Sequence, residues 1–382
     1  MKKGWQTKTI GDVCEFQRGL TYAKGDEVDV SDNVVLRATN IDLPTNLLIF
    51  DELKYINDKV FVPESKKVKK GSLMICMASG SKSHLGKVAF IDDDYGYAFG
   101  GFMGMLTPLN GLSPKYLFHL MTSEDYKDFI GALSDGANIN NLTFDKLKVF
   151  PVPVPPLAEQ QRIVGLLDEA FDCLATAKAN AEKNLQNARA LFESHLQSVF
   201  TQRGPGWVEK SLGETCEMYQ PKTIGTKDLV PDGPYPVFGA NGVIGRYDKF
   251  NHEEPQLLVT CRGATCGSVN ISEPKSWITG NAMVVRPKDH ALDLHFLEFV
   301  FRGGIDISAA ITGAAQPQIT RSNLSPLLIR FPKSVTEQTG LAEKFEALTE
   351  ETQRLARHYE RKHAALEALK KSLLHQAFTG AL

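Results

Sequence analysis

Chemistry in this chain has to come from short polar loops, because the constellations enzymes use are missing from it. Ser79-Gly80-Ser81-Lys82-Ser83-His84 follows the apolar run Leu73-Met74-Ile75-Cys76, and Arg262-Gly263-Ala264-Thr265 follows Leu257-Leu258-Val259-Thr260-Cys261. Small hydroxyls, a base and backbone amides freed by glycine suit contact with phosphate oxygens or base edges. The same residues also suit a solvated hairpin tip. Ser81, Lys82, Ser83 and His84 in the first loop, and Arg262 and Thr265 in the second, are the candidate contacts. Lys66-Lys67-Val68-Lys69-Lys70 is the one basic cluster, and its Lys66, Lys67, Lys69 and Lys70 fit either phosphate binding or a solvated face. Arg37 and Asn40 of Arg37-Ala38-Thr39-Asn40, and Arg246 and Tyr247 of Gly245-Arg246-Tyr247, complete the set. Phe99-Gly100-Gly101-Phe102-Met103 reads as core strand rather than as a stacking surface.

The catalytic alternatives are thin. There is no Gly-x-Gly-x-x-Gly turn and no phosphate-cradling Gly-x-x-x-x-Gly-Lys-Ser/Thr. The Asn/Asp-Pro-Pro-Tyr/Phe motif of amino-group DNA methyltransferases is also missing. A nuclease of the Pro-Asp…Glu-x-Lys type has one weak match, Pro231-Asp232 with Glu273-Pro274-Lys275. Cys261, Cys266 and His252 lack common zinc spacing, and the six cysteines include no Cys-x-x-Cys pair. Buried structural thiols in a reducing, cytoplasmic setting are the natural reading. No catalytic residue and no metal ligand is assigned.

The elements that would position the loops occur twice. Gly4-Trp5 returns as Gly206-Trp207, and Lys8, Gly11, Cys14 and Glu15 return as Lys210, Gly213, Cys216 and Glu217, 202 residues later. Glu159-Gln160 recurs as Glu337-Gln338 and Phe200-Thr201 as Phe378-Thr379, 178 later. Weaker matches keep the same order: Cys76 with Cys261, Gly100 and Met103 with Gly280 and Met283, Gly136-Ala137 and Thr143 with Gly313-Ala314 and Thr320. Two offsets in one duplication mean that the helical part kept its length while the globular part was trimmed.

At 382 residues the chain has room for two domains plus connecting helices. Net charge is −2; residues 1–155 hold 18 Lys/Arg against 19 Asp/Glu, and residues 205–335 hold 13 of each. A stand-alone DNA-binding protein usually shows a basic excess, so a nucleic-acid role must use local patches or a partner's charge. No apolar run approaches a membrane span, and the N-terminus lacks the apolar core of a signal peptide.

Short apolar runs bounded by Gly, Pro, Asn and Asp predict strands, and Ser113-Pro114 predicts a helix start. The expected fold class is α+β. Two similar mixed domains, residues 1–155 and 205–335, are joined by long helices at 156–204 and 336–382 that form an antiparallel coiled coil with pseudo-two-fold symmetry. Pro151, Pro153, Pro155 and Pro156 should stop regular structure before the first helix. The heptad core expected there is Leu167, Ala170, Leu174, Ala177, Ala181, Asn184, Ala188, Leu191 and His195. Its counterpart is Phe345, Leu348, Thr352, Leu355, Tyr359, Lys362, Leu366, Leu369 and Leu373.

With these marks the chain resembles the specificity subunits of type I restriction–modification systems. The resemblance rests on Gly-Trp at each domain start, the exit Pro151-Val152-Pro153-Val154-Pro155-Pro156-Leu157, and Glu-Gln opening each long helix. It rests also on Gly136-Ala137-Asn138-Ile139-Asn140 and Gly313-Ala314-Ala315-Gln316-Pro317-Gln318-Ile319 before each exit. Copy two departs from the pattern, with Phe331-Pro332-Lys333-Ser334 in place of the proline run. The resemblance implies a non-catalytic chain whose two target-recognition domains each read half of a split site in double-stranded DNA, with the paired helices as a ruler. It implies two modification (adenine-methyltransferase) subunits and motor–nuclease subunits as partners. S-adenosylmethionine, ATP and Mg would be held by those partners. The alternative from another class is a two-domain protein-binding scaffold on a coiled-coil rod without DNA contact.

Overall fold

The computed structural model describes residues 4–134, 141–202, 204–313 and 316–382. By internal packing the chain divides into two units, Met1–Asn180 with Arg361–Leu382, and Ala181–Glu360. Each unit therefore takes one domain together with half of each long helix.

In the first unit a four-stranded antiparallel sheet runs in the order Cys14–Arg18, Met103–Pro108, Leu73–Cys76, Val88–Phe90. A second sheet orders Glu27–Val28, Lys54–Ile56, Asn33–Leu36 and Ala98–Phe99, the last pair parallel. Leu73, Met74, Ile75 and Cys76 are all fully buried because this central strand is covered on both faces. One face meets Tyr116, Leu117 and the long-helix residues Ile163 and Leu167; the other meets Leu36, Ile41 and Phe99.

The second unit repeats the plan with Cys216–Tyr219, Ala282–Pro287, Leu257–Thr260 and Val269–Ile271, beside Gly242–Tyr247, Tyr235–Gly239 and Trp277–Ile278. Strand register shifts three of the sequence equivalences, Cys76 with Cys261, Gly100 with Gly280 and Met103 with Met283, by one residue. Leu73 faces Leu106 and Cys76 faces Met103, while Leu257 faces Val285 and Thr260 faces Ala282. Both central strands are four residues long with no insertion, so Cys76 matches Thr260, and Cys261 matches Met77. The same register equates Gly101 with Gly280 and Phe102 with Asn281, one place from the sequence alignment.

The proline-rich exit is regular after all. Pro151–Val154 pairs antiparallel with Gln6–Thr9, in a two-stranded ribbon where missing N–H groups cost little. Leu328–Pro332 pairs in the same way with Trp207–Ser211. Strand pairing, common to both copies, fixes the exit, and so copy two manages without the proline run.

Beyond each exit stands a long helix, Leu157–Gln202 and Val335–Thr379, of 46 and 45 residues, each about 70 Å long at 1.5 Å per residue. Antiparallel pairing is visible within each unit. In the first, Ile163 and Leu167 share a core with Leu374, Ala377 and Phe378, and Lys178 pairs with Glu367 at 3.4 Å. In the second, Leu196 and Phe200 share a core with Ala342 and Phe345. Gly303 and Gly304 admit this helix closely: a Cβ there would lie 2.7 Å from Leu196 and 2.9 Å from Phe200.

The heptad expectation holds only in part. Asn184, His195 and Lys362 are exposed, as are Leu191 (71%), Leu369 (47%) and Leu348 (38%), while Leu185, Phe192, Leu196, His363, Lys370 and Leu374 turn inward. Ile163, Leu174, Leu185 and Leu196 recur every eleven residues. That spacing fits a nearly straight helix, which drifts about 20° per heptad from a 3.5-residue repeat. Asn184 and Lys362 are thus solvated and fix no register.

Candidate nucleic-acid interface

Each domain begins its polar loops where the central strand ends. In the first unit the chain leaving Leu73–Cys76 forms a bridge from Ala78 to Asn141. In the second, Arg262 bridges to Gln318, and the Ile319 N–H donates to the Cys261 carbonyl at 2.9 Å. The Leu142 N–H donates likewise to Met77, at 2.6 Å. The segment before each exit is therefore tied to the loop after each central strand. Residues 136–140 of the first such segment, and 314–315 of the second, lie outside the described residues.

Three stretches that the sequence singled out meet in one cavity of about 570 Å³ in the first domain. Arg37, Ala38 and Thr39 form one side, Ser79 the start of the polar loop, and Gly101 and Phe102 the turn before Met103–Pro108. Tyr22 and Glu27 also line it. The floor is close-packed: a Cβ on Gly19 would sit 2.0 Å from the Gly100 oxygen. The Arg18 Nε donates to the Gly101 carbonyl at 2.8 Å and clamps the turn further. Glu27 is ion-paired to Lys54. The Arg37 Nε is buried without a hydrogen-bond partner among the described residues. Phe102, expected in the core, is 73% exposed, while Phe99 and Met103 of the same run are buried.

The other candidates divide by what already holds them. Asn40 is 1% exposed: its amide donates to the Ile49 and Glu52 carbonyls, and its Oδ1 accepts from the Arg37 N–H at 2.9 Å. It shapes the turn that carries Arg37 and is closed to an external ligand. Arg246 is spent on the Gly233 and Pro234 carbonyls, pinning its hairpin. Tyr247 packs edge-on against Trp277, ring centres 5.2 Å apart.

The basic cluster does not act as one patch. Lys66 donates to the Arg18 carbonyl at 2.8 Å, Lys67 pairs with Glu64 at 2.5 Å, and Lys70 faces Asp93 at 3.7 Å. Lys69 is exposed. Ser81 and Ser83 are exposed and bond each other at 2.8 Å, whereas His84 Nδ1 lies 2.9 Å from the Lys87 Nζ. Lys82 opens a short 3-10 turn, and its side chain lies outside the described residues. In the second domain Arg262 is exposed, and the Thr265 hydroxyl donates to Asn241 Oδ1 at 2.9 Å. Thr260 donates to the same oxygen at 3.1 Å, which holds the exposed Asn241 in place. Sequence reading missed Tyr22, Phe102 and Asn241; only Asn241, between Gly239 and Gly242, carried a turn signal.

Four of the six cysteines, Cys14, Cys76, Cys216 and Cys261, are buried packing residues, whereas Cys266 is half-buried and Cys173, against expectation, is exposed on the first long helix. Burial pushes the Cys14 thiol up to about 12 and that of its counterpart Cys216 up to about 11, and it also raises Cys76 and Cys261. Among the described residues no three His, Cys, Asp or Glu side chains are grouped to hold a metal ion.

The sequence model of the type I restriction modification DNA specificity domain matches residues 2–186 and again residues 205–360. The chain belongs to this family. The specificity subunit of the type I restriction enzyme StySPI from Salmonella potsdam is 35% identical over 191 residues, 48% of this chain and 40% of that protein. That of EcoKI from Escherichia coli K12 is 34% identical over 48% of this chain and 39% of that protein. The aligned stretch spans about two fifths of these curated relatives. Likeness of fold runs the whole length. A chain from a structural study of type I R–M complex assembly superposes with a TM-score of 0.80 at 19% identity, covering 100% of this chain and 99% of that one. The HsdS subunit of Thermoanaerobacter tengcongensis gives 0.64 at 19% identity, covering 100% and 98%. The chain is thus a type I specificity subunit with two specificity domains, and among the described residues no helix is long and apolar enough to cross a membrane.

Proposed function

We propose that this chain selects the DNA site of a type I restriction–modification complex, each domain reading one half of a split sequence. The observation that carries this reading is one loop framework, built twice, that presents different side chains at matched places: Arg37 and Phe102 in the first copy stand where the second has Gly239 and Asn281. A fold kept constant beneath changing contact residues suits two readers of different half-sites. The long helices set their separation, and the chain itself is non-catalytic. Adenine-methyltransferase subunits dock on it and supply S-adenosylmethionine chemistry and much of the phosphate contact, which answers the near-neutral charge. Motor–nuclease subunits add ATP and Mg chemistry. The setting is cytoplasmic, where the DNA is.

Sequencing of host DNA methylation with and without this gene tests the proposal. A split adenine-methylated motif should vanish on deletion, and the purified chain alone should methylate nothing. An unchanged methylation pattern in a host that expresses the modification subunit would favour the protein-binding scaffold.

A further inference from the structure

The two copies differ most sharply at one matched place. Val35 and Leu36 pair in parallel with Ala98 and Phe99, and Val237 and Phe238 pair likewise with Trp277 and Ile278. The residue that follows is Arg37 in the first copy and Gly239 in the second. Gly239 carries no side chain, and a Cβ there would press on the Ile244 side chain at 2.8 Å. The first copy has opened that place into a cavity and set an arginine in it.

The Arg37 guanidinium makes no hydrogen bond among the described residues, although its Nε is shielded from solvent. A buried donor without an acceptor is costly, and more so on a charged group. The one carboxylate lining the cavity, Glu27, is held by Lys54. Tyr22 and the exposed ring of Phe102 give the cavity aromatic walls. An occupant therefore needs a planar edge that the two rings can flank and two adjacent acceptors for the guanidinium fork. The major-groove edge of guanine supplies those acceptors as O6 and N7. A phosphate would satisfy the charge, but it has no use for the aromatic walls.

The geometry points to Arg37 as the reader of a guanine in the half-site contacted by residues 1–155, with Phe102 packed against the bases at the rim. This rests on the DNA-recognition reading above. It names the base class for the first domain and excludes the same mode of reading from the second.

The test uses the complete methyltransferase complex with this chain unaltered, Arg37→Ala, Arg37→Lys or Phe102→Ala. Methylation is scored on duplexes carrying every single-base change across both half-sites. With the unaltered chain, one G·C pair in the first half-site should be required. In Arg37→Ala and Arg37→Lys, discrimination at that pair should fall by roughly one to two orders of magnitude, with the second half-site read as before. Phe102→Ala should relax the same or the adjacent pair. Lysine keeps the charge but loses the fork, so it separates base reading from phosphate binding and carries the test if the alanine variant fails to assemble. Full discrimination in Arg37→Lys, or a first half-site without a required G·C pair, overturns the inference. If the unaltered complex recognises no split site at all, the broader reading fails instead.

Discussion

Gln338 and Gln160 predict a measurable loss of stability. Both are 0% exposed at the head of a long helix, and both make the same three bonds. The Gln160 Oε1 accepts from the Ser113 N–H at 2.7 Å, and its Nε2 donates to the Gly111 and Pro155 carbonyls at 2.8 and 2.9 Å. Gln338 repeats this with the Asp293 N–H at 2.7 Å and with Ala291 and Pro332 at 2.9 and 2.7 Å. Each glutamine thus fastens its helix to the loop before a domain helix and to the exit strand. Leucine has a similar volume but leaves one donor and two acceptors buried and unsatisfied. At a net ~0.5–1.5 kcal/mol per bond, Gln338→Leu should cost about 2–4 kcal/mol. For a unit of this size that lowers Tm by about 5–15 °C. Gln161→Ala, exposed on the same helical turn as Gln160, should stay within about 0.5 kcal/mol. Scanning calorimetry of the full chain reads the effect. If Gln338→Leu or Gln160→Leu melts within about 2 °C of the unaltered chain, these bonds do not anchor the helices, and the repeated Glu-Gln pair needs another explanation.

Two further outcomes follow from the same geometry. His119, 5% exposed on Pro114–Leu120, is pushed below its ordinary 6.5 by burial, against the pull of its 2.8 Å bond to Asp168. The unfolded chain therefore takes up the proton first, and stability contributed by neutral His119 is lost as pH falls from about 7 through the depressed folded value. His119→Gln should flatten that decline in urea melts between pH 7 and 5; an unchanged slope would refute the assignment. Some slope should persist from His252, which burial and then Arg286 lower in the same direction. Inserting four helical residues near Ala181, matched by four near Tyr359, should lengthen the helices by about 6 Å and the unspecified spacer by about two base pairs. A folded, active insertion variant that methylates the original spacing would show that the helices do not set it.

The sequence was most legible where periodicity and repetition speak together: two α+β domains, two long helices, and the polar loops after each central strand. It misled where a local rule met tertiary context. Heptad counting put Asn184 and Leu191 inward, but a nearly straight helix turns Leu185 and Phe192 there instead. Prolines read as breakers because pattern alone could not reveal that Gln6–Thr9 would pair with Pro151–Val154. Phe102 read as core because the run Phe99–Met103 alternates plausibly, yet the two glycines turn the chain and leave the ring outside. Asn40 and Arg246 looked like contacts because polarity does not say whether a partner is already within the fold. The cavity at Arg37 joins residues more than sixty positions apart, and no spacing rule reaches that far.

The central claim is that each domain reads its own half of a split site. Exchanging residues 1–155 for the matching domain of a related specificity subunit tests it most directly, with host methylation sequenced before and after. One half of the methylated motif should change to the half-site of the donor domain, while the half read by residues 205–335 and the spacer stay as they were. A motif changed in both halves, or in neither, would contradict the account.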